Sequence, residues 1–243
     1  MQGFEGKFDD LIDRLRGHSV GLAVNHFGNF GDQLIQRGTL QLLQLNGIRC
    51  RLLKESEIDS GKCPADVSLV AEPGGGNVGT RPGLSSPKRR ARLAKLACPK
   101  VILPQSASDP GEDLGAFETV FAREETSWRL LREVHRDVRL VPDLALALDL
   151  PPSAPVRDEG LFFRDDIERH GTGGRDPVKL TSSVEGYVAL AGSYRRVVTN
   201  RLHFAIAALL QGQEAVLAAN CYHKNRSMFD TWLHHIPGAS WRE

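Results

Sequence analysis

Short apolar runs alternate along the chain with longer segments in which apolar residues recur every three or four positions. The short runs are typical of buried strands, and the longer spacing is typical of helices. Such an alternation predicts an α/β domain with a mostly parallel sheet. In the first part of the chain, strands are predicted at 19–24, 48–53, 67–71, 101–103 (ending at Pro104), 119–122 and 138–141, and helices at 33–45, 88–97 and 124–134.

The proline-rich stretch at 151–155 predicts a linker, because proline resists both helices and central strands. Beyond it, strands are predicted at 161–163, 196–198 and 214–218, and helices at 182–191, 204–210 and 226–233. The chain therefore divides into two predicted domains, 1–150 and 151–243, with a cleft between them. Ligands of open α/β sheets bind beyond the carboxyl ends of the strands.

The composition of the chain indicates which binding partners and which cellular compartment are expected. The 243 residues are 41% hydrophobic and carry a formal net charge of +1, which favours neither nucleic acid nor a charged membrane surface. The basic run at 87–95 is expected to be a solvated helix. No apolar run is long enough to span a bilayer, the first 17 residues lack the apolar core of a secretory signal, and the four cysteines form no Cys-x-x-Cys pair. These features predict a cytoplasmic protein.

Polar residues follow the predicted strands, and three of these strands are followed by an arginine. Glycine, asparagine and aspartate at 25–32, 74–77 and 142–143 are ordinary turn residues. The same explanation fits Arg123, Arg164 and Arg201 less well. Forked guanidinium groups at the ends of parallel strands point to a ligand with carboxylate or phosphate groups.

The most informative segment is Thr-Asn-Arg-Leu-His at 199–203, between a strand and an apolar helix. The start of a helix attracts anions through its unpaired N–H groups and its dipole. Arg201 adds a fixed pair of donors, and His203 adds a group that exchanges protons near neutral pH. The alternative interpretation is an ordinary strand-to-helix turn with a surface arginine.

Several common catalytic motifs are absent or incomplete. Gly74, Gly76 and Gly79 have the spacing of a dinucleotide-binding loop, but Thr-Arg-Pro-Gly at 80–83 cannot continue as the required helix. A loop that lets a ligand approach the backbone is the favoured interpretation. The chain contains no P-loop and no Gly-x-Ser-x-Gly motif. Its histidines lack metal-ligand spacing, so no metal is predicted.

Taken in order, these segments resemble the polysaccharide pyruvyl transferase family over residues 20–233. The resemblance implies two Rossmann-like lobes in a GT-B-like arrangement. Family members usually carry a longer segment after the position of Arg164, whereas this chain has a short glycine-rich stretch at 170–176, which predicts a shortened C-terminal lobe. The matching segments are Asn-Phe-Gly-Asp at 29–32 with Gly38, the glycines at 74–76, Arg123-Glu124 with Ser127, Pro-Asp-Leu-Ala at 142–145, Arg164, the segment 199–203, and Tyr-His-Lys-Asn at 222–225 with Phe229 and Trp232.

The resemblance also implies an activity. Such an enzyme moves the enolpyruvyl group of phosphoenolpyruvate onto a sugar as a pyruvate ketal and releases phosphate, with no cofactor besides the donor. The acceptor would be a saccharide of an exopolysaccharide, free or lipid-linked at the inner membrane surface. The domain 151–243 would hold phosphoenolpyruvate, and the domain 1–150 would hold the acceptor.

Roles for individual residues follow from this resemblance. His203 would be a general acid or base, and Asp32 and Asp143 would bind or deprotonate the sugar hydroxyls. The predicted substrate-binding residues are Arg164, Arg201, Lys224, Asn29, Gly75, Gly76 and Asn225.

Each role has a structural alternative. Asp32 is alternatively a helix N-cap and Asp143 a turn residue. Arg164 is alternatively paired with a nearby acidic residue, Lys224 solvated at a helix end, and His203 packed in a turn. Two other classes also remain open: a glycosyltransferase that uses a nucleotide sugar, and a non-catalytic saccharide-binding protein.

Overall fold

The computed structural model describes residues 4–24, 29–80, 86–169 and 174–242. Within these ranges the chain forms eleven strands and eight α-helices, most of them in alternation. None of the helices in these ranges is long and apolar enough to cross a membrane. The elements are α1 (Asp9–Leu15), β1 (Ser19–Leu22), α2 (Phe30–Leu45), β2 (Arg49–Leu52), α3 (Glu55–Asp59), β3 (Leu69–Glu72), β4 (Gly75–Val78), α4 (Ser86–Leu93), β5 (Lys100–Ala107), β6 (Thr119–Ala122), α5 (Glu125–Arg132), β7 (Val138–Leu140), β8 (Arg157–Phe162), α6 (Val184–Gly192), β9 (Tyr194–Thr199), α7 (Leu202–Leu210), β10 (Glu214–Ala218), α8 (Lys224–Thr231) and β11 (Ala239–Arg242).

The strands form two sheets in which every pairing among the described residues is parallel. The first sheet has seven strands in the order β2-β1-β3-β5-β6-β7, with β4 also paired to β5. The second has four strands in the order β11-β10-β9-β8. The predicted α/β class with mostly parallel sheets is confirmed, because parallel neighbours need the helical crossovers seen here.

The strands of the seven-stranded sheet all precede the stretch 151–155, and those of the four-stranded sheet all follow it. Residues 151–155 themselves form neither helix nor strand, as predicted. One hydrophobic cluster nevertheless includes side chains of both parts, among them Leu22 of β1, Leu144, and Phe204 of α7. Helices α2 and α7 pack against each other within it, so the two sheets share one core.

The predicted strand end at Pro104 is wrong, because strand β5 continues to Ala107. The glycine-rich segment after β3 forms the additional strand β4, which pairs with this extension of β5 at Gly75 and Gln105. Glycine has little intrinsic preference for strands, so β4 depends on a partner that is distant in sequence. The missing N–H of Pro104 did not end the strand, since its neighbours still pair on both sides.

Helix α4 confirms a helix in the basic run, but the expected solvation is wrong for two of its arginines. Arg90 is buried and binds Glu112 through Nε at 2.6 Å. Arg89 donates to both oxygens of the fully buried Glu72. Buried charges are stable only when they are paired, so these arginines belong to an internal ion-pair cluster.

Candidate active site

A polar pocket lies where residues following strands of both sheets come together. It holds about 500 Å³ of empty space, including its solvent-open mouth. Its position beyond the carboxyl ends of parallel strands is the usual ligand site of α/β sheets. The lining residues are Asn29, Gly31, Asp32, Gly76, Arg123, Arg164, Glu168, Tyr187, Arg201, Leu202, His203 and Lys224.

The start of helix α7 places two of these side chains in the pocket. Strand β9 is a central strand, and the chain leaves it at Thr199, whose hydroxyl accepts a hydrogen bond from the Arg201 N–H at 3.0 Å. Arg201 has extended backbone angles and is the residue immediately before the helix. Helix α7 is almost entirely apolar and buried, which fixes its axis. The start of the helix therefore presents Arg201 and His203 at a defined position.

His203 is joined to a buried ion pair from the other sheet. Its Nε2 lies 3.2 Å from Oδ2 of Asp143, and the same oxygen accepts a hydrogen bond from Nη1 of Arg123 at 2.7 Å. Oδ1 of Asp143 accepts the backbone N–H of Ala145 at 2.8 Å. Asp143 is thus a cap of the short 3₁₀ helix at 144–147, as the turn alternative predicted, and it also orients the His203 ring.

The two aspartates beside His203 have opposite electrostatic surroundings. Burial raises the pKa of Asp143, but His203, Arg123 and the Ala145 N–H more than offset this, so its pKa lies well below the ordinary value. Burial raises the pKa of Asp32, and the nearby cationic groups offset this only in part, so its pKa lies above the ordinary value. Carboxyls with separated pKa values are typical of acid–base sites. Asp143 is suited to remain ionised, and Asp32 is suited to exchange a proton.

Asp32 is held by the capping box at the start of helix α2. The side chain of Asn29 accepts hydrogen bonds from the N–H groups of Gly31 and Asp32, and the Asp32 carboxylate accepts from the Asn29 N–H at 3.0 Å. The N-cap is therefore Asn29, and the expectation that Asp32 takes this role is wrong. Gly31 faces the His203 ring so closely that an added Cβ would collide with it.

The arginines at the ends of strands β8 and β9 are buried and already paired with acidic residues. Arg164 makes a two-pronged contact with Asp166 at 2.7 and 2.8 Å and also binds Glu168. Arg201 makes a two-pronged contact with Asp176 at 2.9 and 2.5 Å. The salt-bridge alternative for Arg164 is confirmed, although both arginines also line the pocket.

Lys224 is buried, so the alternative of a solvated lysine at a helix end is wrong. It begins helix α8, and its Nζ lies 2.5 Å from Oε2 of Glu168. Burial lowers the pKa of Lys224 to about 8, with further lowering by Arg164 and Arg123 and an opposing effect of Glu168. Its ammonium group therefore changes charge close to neutral pH.

Seven of the ten site residues predicted from the sequence line the pocket, and three do not. Asp143 lies behind His203, Gly75 belongs to β4 beside the lining residue Gly76, and Asn225 is part of the framework. The amide of Asn225 donates to the carbonyl oxygens of Asn200 and Ala218 at 2.8 and 2.9 Å. The seven that line the pocket are Asn29, Asp32, Gly76, Arg164, Arg201, His203 and Lys224.

Two charged lining residues are missing from the predicted site. Arg123 follows β6, so it shares the signal of an arginine after a strand. A Cβ at Gly76 would lie 2.8 Å from its Nη2 and 3.0 Å from the Tyr222 hydroxyl, which accounts for the glycine there. Glu168 has no such signal, because its position depends on the fold of the irregular segment after β8.

Some predicted features lie outside the described residues. These are the turn residues at 25–28, the residues at 81–83 that are predicted not to continue as a helix, and the part of the short glycine-rich stretch at 170–173. The rest of that stretch contains Asp176, which is buried against Arg201.

Comparisons with known proteins extend over most of the chain. The family model for polysaccharide pyruvyl transferase matches residues 29–222. A search of curated proteins gave no significant match. A crystal structure of a functionally uncharacterized protein from Klebsiella pneumoniae subsp. pneumoniae NTUH-K2044 superposes with a TM-score of 0.76 at 22% identity, over 100% of both chains. At this identity it shows a shared fold. Since the family model spans most of the chain and includes every pocket-lining residue except Lys224, the chain belongs to the polysaccharide pyruvyl transferase family.

Proposed function

We propose that this protein transfers the enolpyruvyl group of phosphoenolpyruvate to two hydroxyls of a saccharide, forming a pyruvate ketal and releasing phosphate. The observation that carries the proposal is the pairing of His203 with Asp143 in a pocket that also contains Arg201 and Lys224. A proton-transfer pair beside several cations suits a substrate with a carboxylate, a phosphate and a carbon that must be protonated. No cofactor besides the donor enters the proposal.

The cations would bind the two anionic groups of the donor. Arg164 and Arg201 supply guanidinium groups for paired hydrogen bonds, and Lys224 supplies a point charge for the phosphate. Arg123, held by Asp143 and by a 2.8 Å hydrogen bond to Ser106, faces the same space from the seven-stranded sheet. Binding both ends of the donor would fix C2 between the proton-transfer groups and the acceptor.

The proposed reaction balances with two hydroxyl protons. The methylene carbon gains a proton, and the oxygen of the first hydroxyl bonds to C2 as it loses its own proton. The C2–O bond to phosphate then breaks. The second hydroxyl oxygen bonds to C2 and loses its proton. One of the two hydroxyl protons ends in the new methyl group and the other on the released phosphate.

His203 and Asp32 are the groups assigned to these transfers. His203 lies against Gly31, one residue before Asp32, so both groups face one side of the pocket. Asp143 would keep one orientation of the imidazole and stabilise its protonated form. Asn29 would hold Asp32 through the capping box. Gly75 and Gly76 would let the substrate approach the backbone, and Asn225 would hold the loops that carry Arg201 and Lys224.

The division of labour between the two halves is also proposed. Arg164, Arg201 and Lys224 follow strands of the four-stranded sheet, which supports donor binding by 151–243. Asp32 lies in the first turn of helix α2, in the half of the chain that forms the seven-stranded sheet, which supports acceptor binding by 1–150. The arrangement would be GT-B-like with a shortened C-terminal lobe. The protein would act in the cytoplasm, at the inner membrane surface where its acceptor is lipid-linked.

The test is incubation of the full chain with phosphoenolpyruvate and a panel of free and lipid-linked saccharides. Phosphate release together with a product of the mass of a pyruvate ketal supports the proposal. A parallel reaction with nucleotide sugars separates it from glycosyl transfer. Glycosylated product in that reaction, or saccharide binding with no release of phosphate at all, would overturn the proposal.

A further inference from the structure

The Glu168 side chain lines the pocket, and its carboxylate binds two of the cationic side chains that are proposed to bind the donor. Its Oε2 accepts from Nζ of Lys224 at 2.5 Å and from Nη1 of Arg164. The side chain is largely buried. Its own N–H donates to Oδ1 of Asp166 at 3.0 Å, and its carbonyl oxygen accepts from the N–H of Cys221. One oxygen between two cationic donors is also how an oxygen of a bound phosphate or carboxylate would be held.

Each cation that lines the pocket is paired with an acidic residue of the chain. Arg123 pairs with Asp143, Arg201 with Asp176 and Asp166, Arg164 with Asp166 and Glu168, and Lys224 with Glu168. Among these four acidic residues, Glu168 is the one that lines the pocket itself. An anion that enters the pocket therefore meets the Glu168 carboxylate at the cations it would bind.

The other three carboxylates are fixed to the backbone as well as to the arginines. Asp143 accepts from the Ala145 N–H, Asp166 from the Glu168 N–H, and Asp176 from the N–H groups of Asp165 and Val178. Moving any of them would break a turn or a cap. Rotation of the Glu168 side chain would release the ammonium of Lys224 and one arm of Arg164 without breaking these turns.

We infer that Glu168 is a specificity-determining residue that occupies an anion subsite and yields it to ligands with two anionic groups. This inference rests on the proposed function for the identity of the donor. A ligand with one anionic group gains the two cations only by taking both of them from the Glu168 carboxylate, which is unfavourable for a buried charge. A ligand with a carboxylate and a phosphate makes further contacts at Arg201 that offset this loss. The Glu168 carboxylate therefore discriminates against ligands that have a single anionic group.

The test compares Glu168→Gln with the unmodified protein in calorimetric titrations with inorganic phosphate and with phosphoenolpyruvate. Glutamine keeps the shape and removes the competing charge, so phosphate should bind at least about tenfold tighter. Phosphoenolpyruvate should gain less, so the preference for it over phosphate falls. Glu185→Gln, at an exposed carboxylate of helix α6, removes the same charge and should change neither affinity.

Two outcomes would overturn the inference. Unchanged or weaker phosphate binding by a Glu168→Gln protein with a native melting temperature would mean that Glu168 only positions Lys224. If this variant does not fold, Glu168→Asp decides the question, because it withdraws the carboxylate by one methylene. Tighter phosphate binding by Glu168→Asp supports the inference, and unchanged or weaker binding contradicts it. Phosphate affinity is measured without turnover, so failure of ketal formation in the unmodified protein is a separate result.

Discussion

His203 and Asp143 lie 60 positions apart in the chain and belong to different halves of the fold, yet Nε2 of His203 is 3.2 Å from Oδ2 of Asp143. Asp143 follows β7 of the seven-stranded sheet, and His203 follows β9 of the four-stranded sheet. The shared core of α2, α7 and the 3₁₀ helix at 144–147 holds this contact in place. The pair makes the position of the imidazole dependent on the packing of one half against the other.

Replacing His203 tests proton transfer. His203→Asn should fold normally and lower the single-turnover rate by about 100-fold, the usual contribution of general acid–base catalysis. The affinity for phosphoenolpyruvate should change less, because the cations hold the donor. The control is His234→Asn at an exposed histidine. A His203→Asn protein that melts earlier but keeps its single-turnover rate would show that the histidine is structural.

Asp143→Asn should weaken the contact that orients the His203 ring and should also lower the stability of the folded protein. Loss of the charge leaves Arg123 buried without its counter-ion, which should lower the free energy of unfolding by about 3–5 kcal/mol. Because the pKa of Asp143 is lowered in the folded protein, the stabilisation is fully present above the unfolded pKa and is lost as the pH falls below about 4. Denaturant titrations of both proteins at several pH values measure this.

The expected difference in stability is therefore constant from about pH 5 to 8 and shrinks at lower pH. The control, Asp137→Asn, removes a partly exposed carboxylate that binds Arg139. It should have a much smaller effect, since exposed pairs contribute about 0–1 kcal/mol. A difference that grows as the pH falls below 4 would contradict the assigned role of Asp143.

Arg201→Lys should impair donor binding while the fold survives. Lysine keeps the charge but cannot reproduce the two-pronged contact with Asp176 or offer a second fork to a carboxylate. We expect a loss of about tenfold or more in kcat/KM for phosphoenolpyruvate. Arg195→Lys, on the exposed side of β9, is the matched control. Kinetics like those of the unmodified enzyme would show that Arg201 does not bind the donor.

The charge of Lys224 predicts a pH dependence. Its pKa is lowered to about 8, so the ammonium is present at pH 7 and is lost as the pH rises through this value. In the free enzyme, kcat/KM for phosphoenolpyruvate should therefore fall above about pH 8. Lys224→Arg should move this fall to higher pH, whereas Lys179→Arg, at an exposed lysine paired with Asp165, should not. An unchanged profile in Lys224→Arg would assign the fall to another group.

Gly31→Ala should displace the His203 ring, because the added Cβ has no room beside it. Turnover should fall toward that of His203→Asn, with less effect on donor affinity. Gly186→Ala is the control in helix α6, where an added Cβ makes only an ordinary contact with Ser183 Oγ at 3.4 Å. Its turnover should be unchanged, and its melting temperature should be equal or higher. Normal turnover in Gly31→Ala would argue against a catalytic position for His203.

The sequence by itself determined the class of the fold and most of the pocket. Apolar runs and helical spacing are local properties, and they place strands such as β6 and β10 at the predicted residues. Because the carboxyl ends of parallel strands meet at one edge, the residues after them also predict the site. Arg164, Arg201 and His203 were found in this way, and Arg123 carries the same signal.

The tertiary structure decided which groups are paired and which are charged. Strand β4, the buried pair of Arg90 with Glu112 and the contact of Lys224 with Glu168 all join residues that are distant in sequence. The opposite pKa shifts of Asp32 and Asp143 depend on burial and on neighbours from both sheets. Burial and charge pairing depend on distances in space, and the order of residues along the chain does not contain those distances.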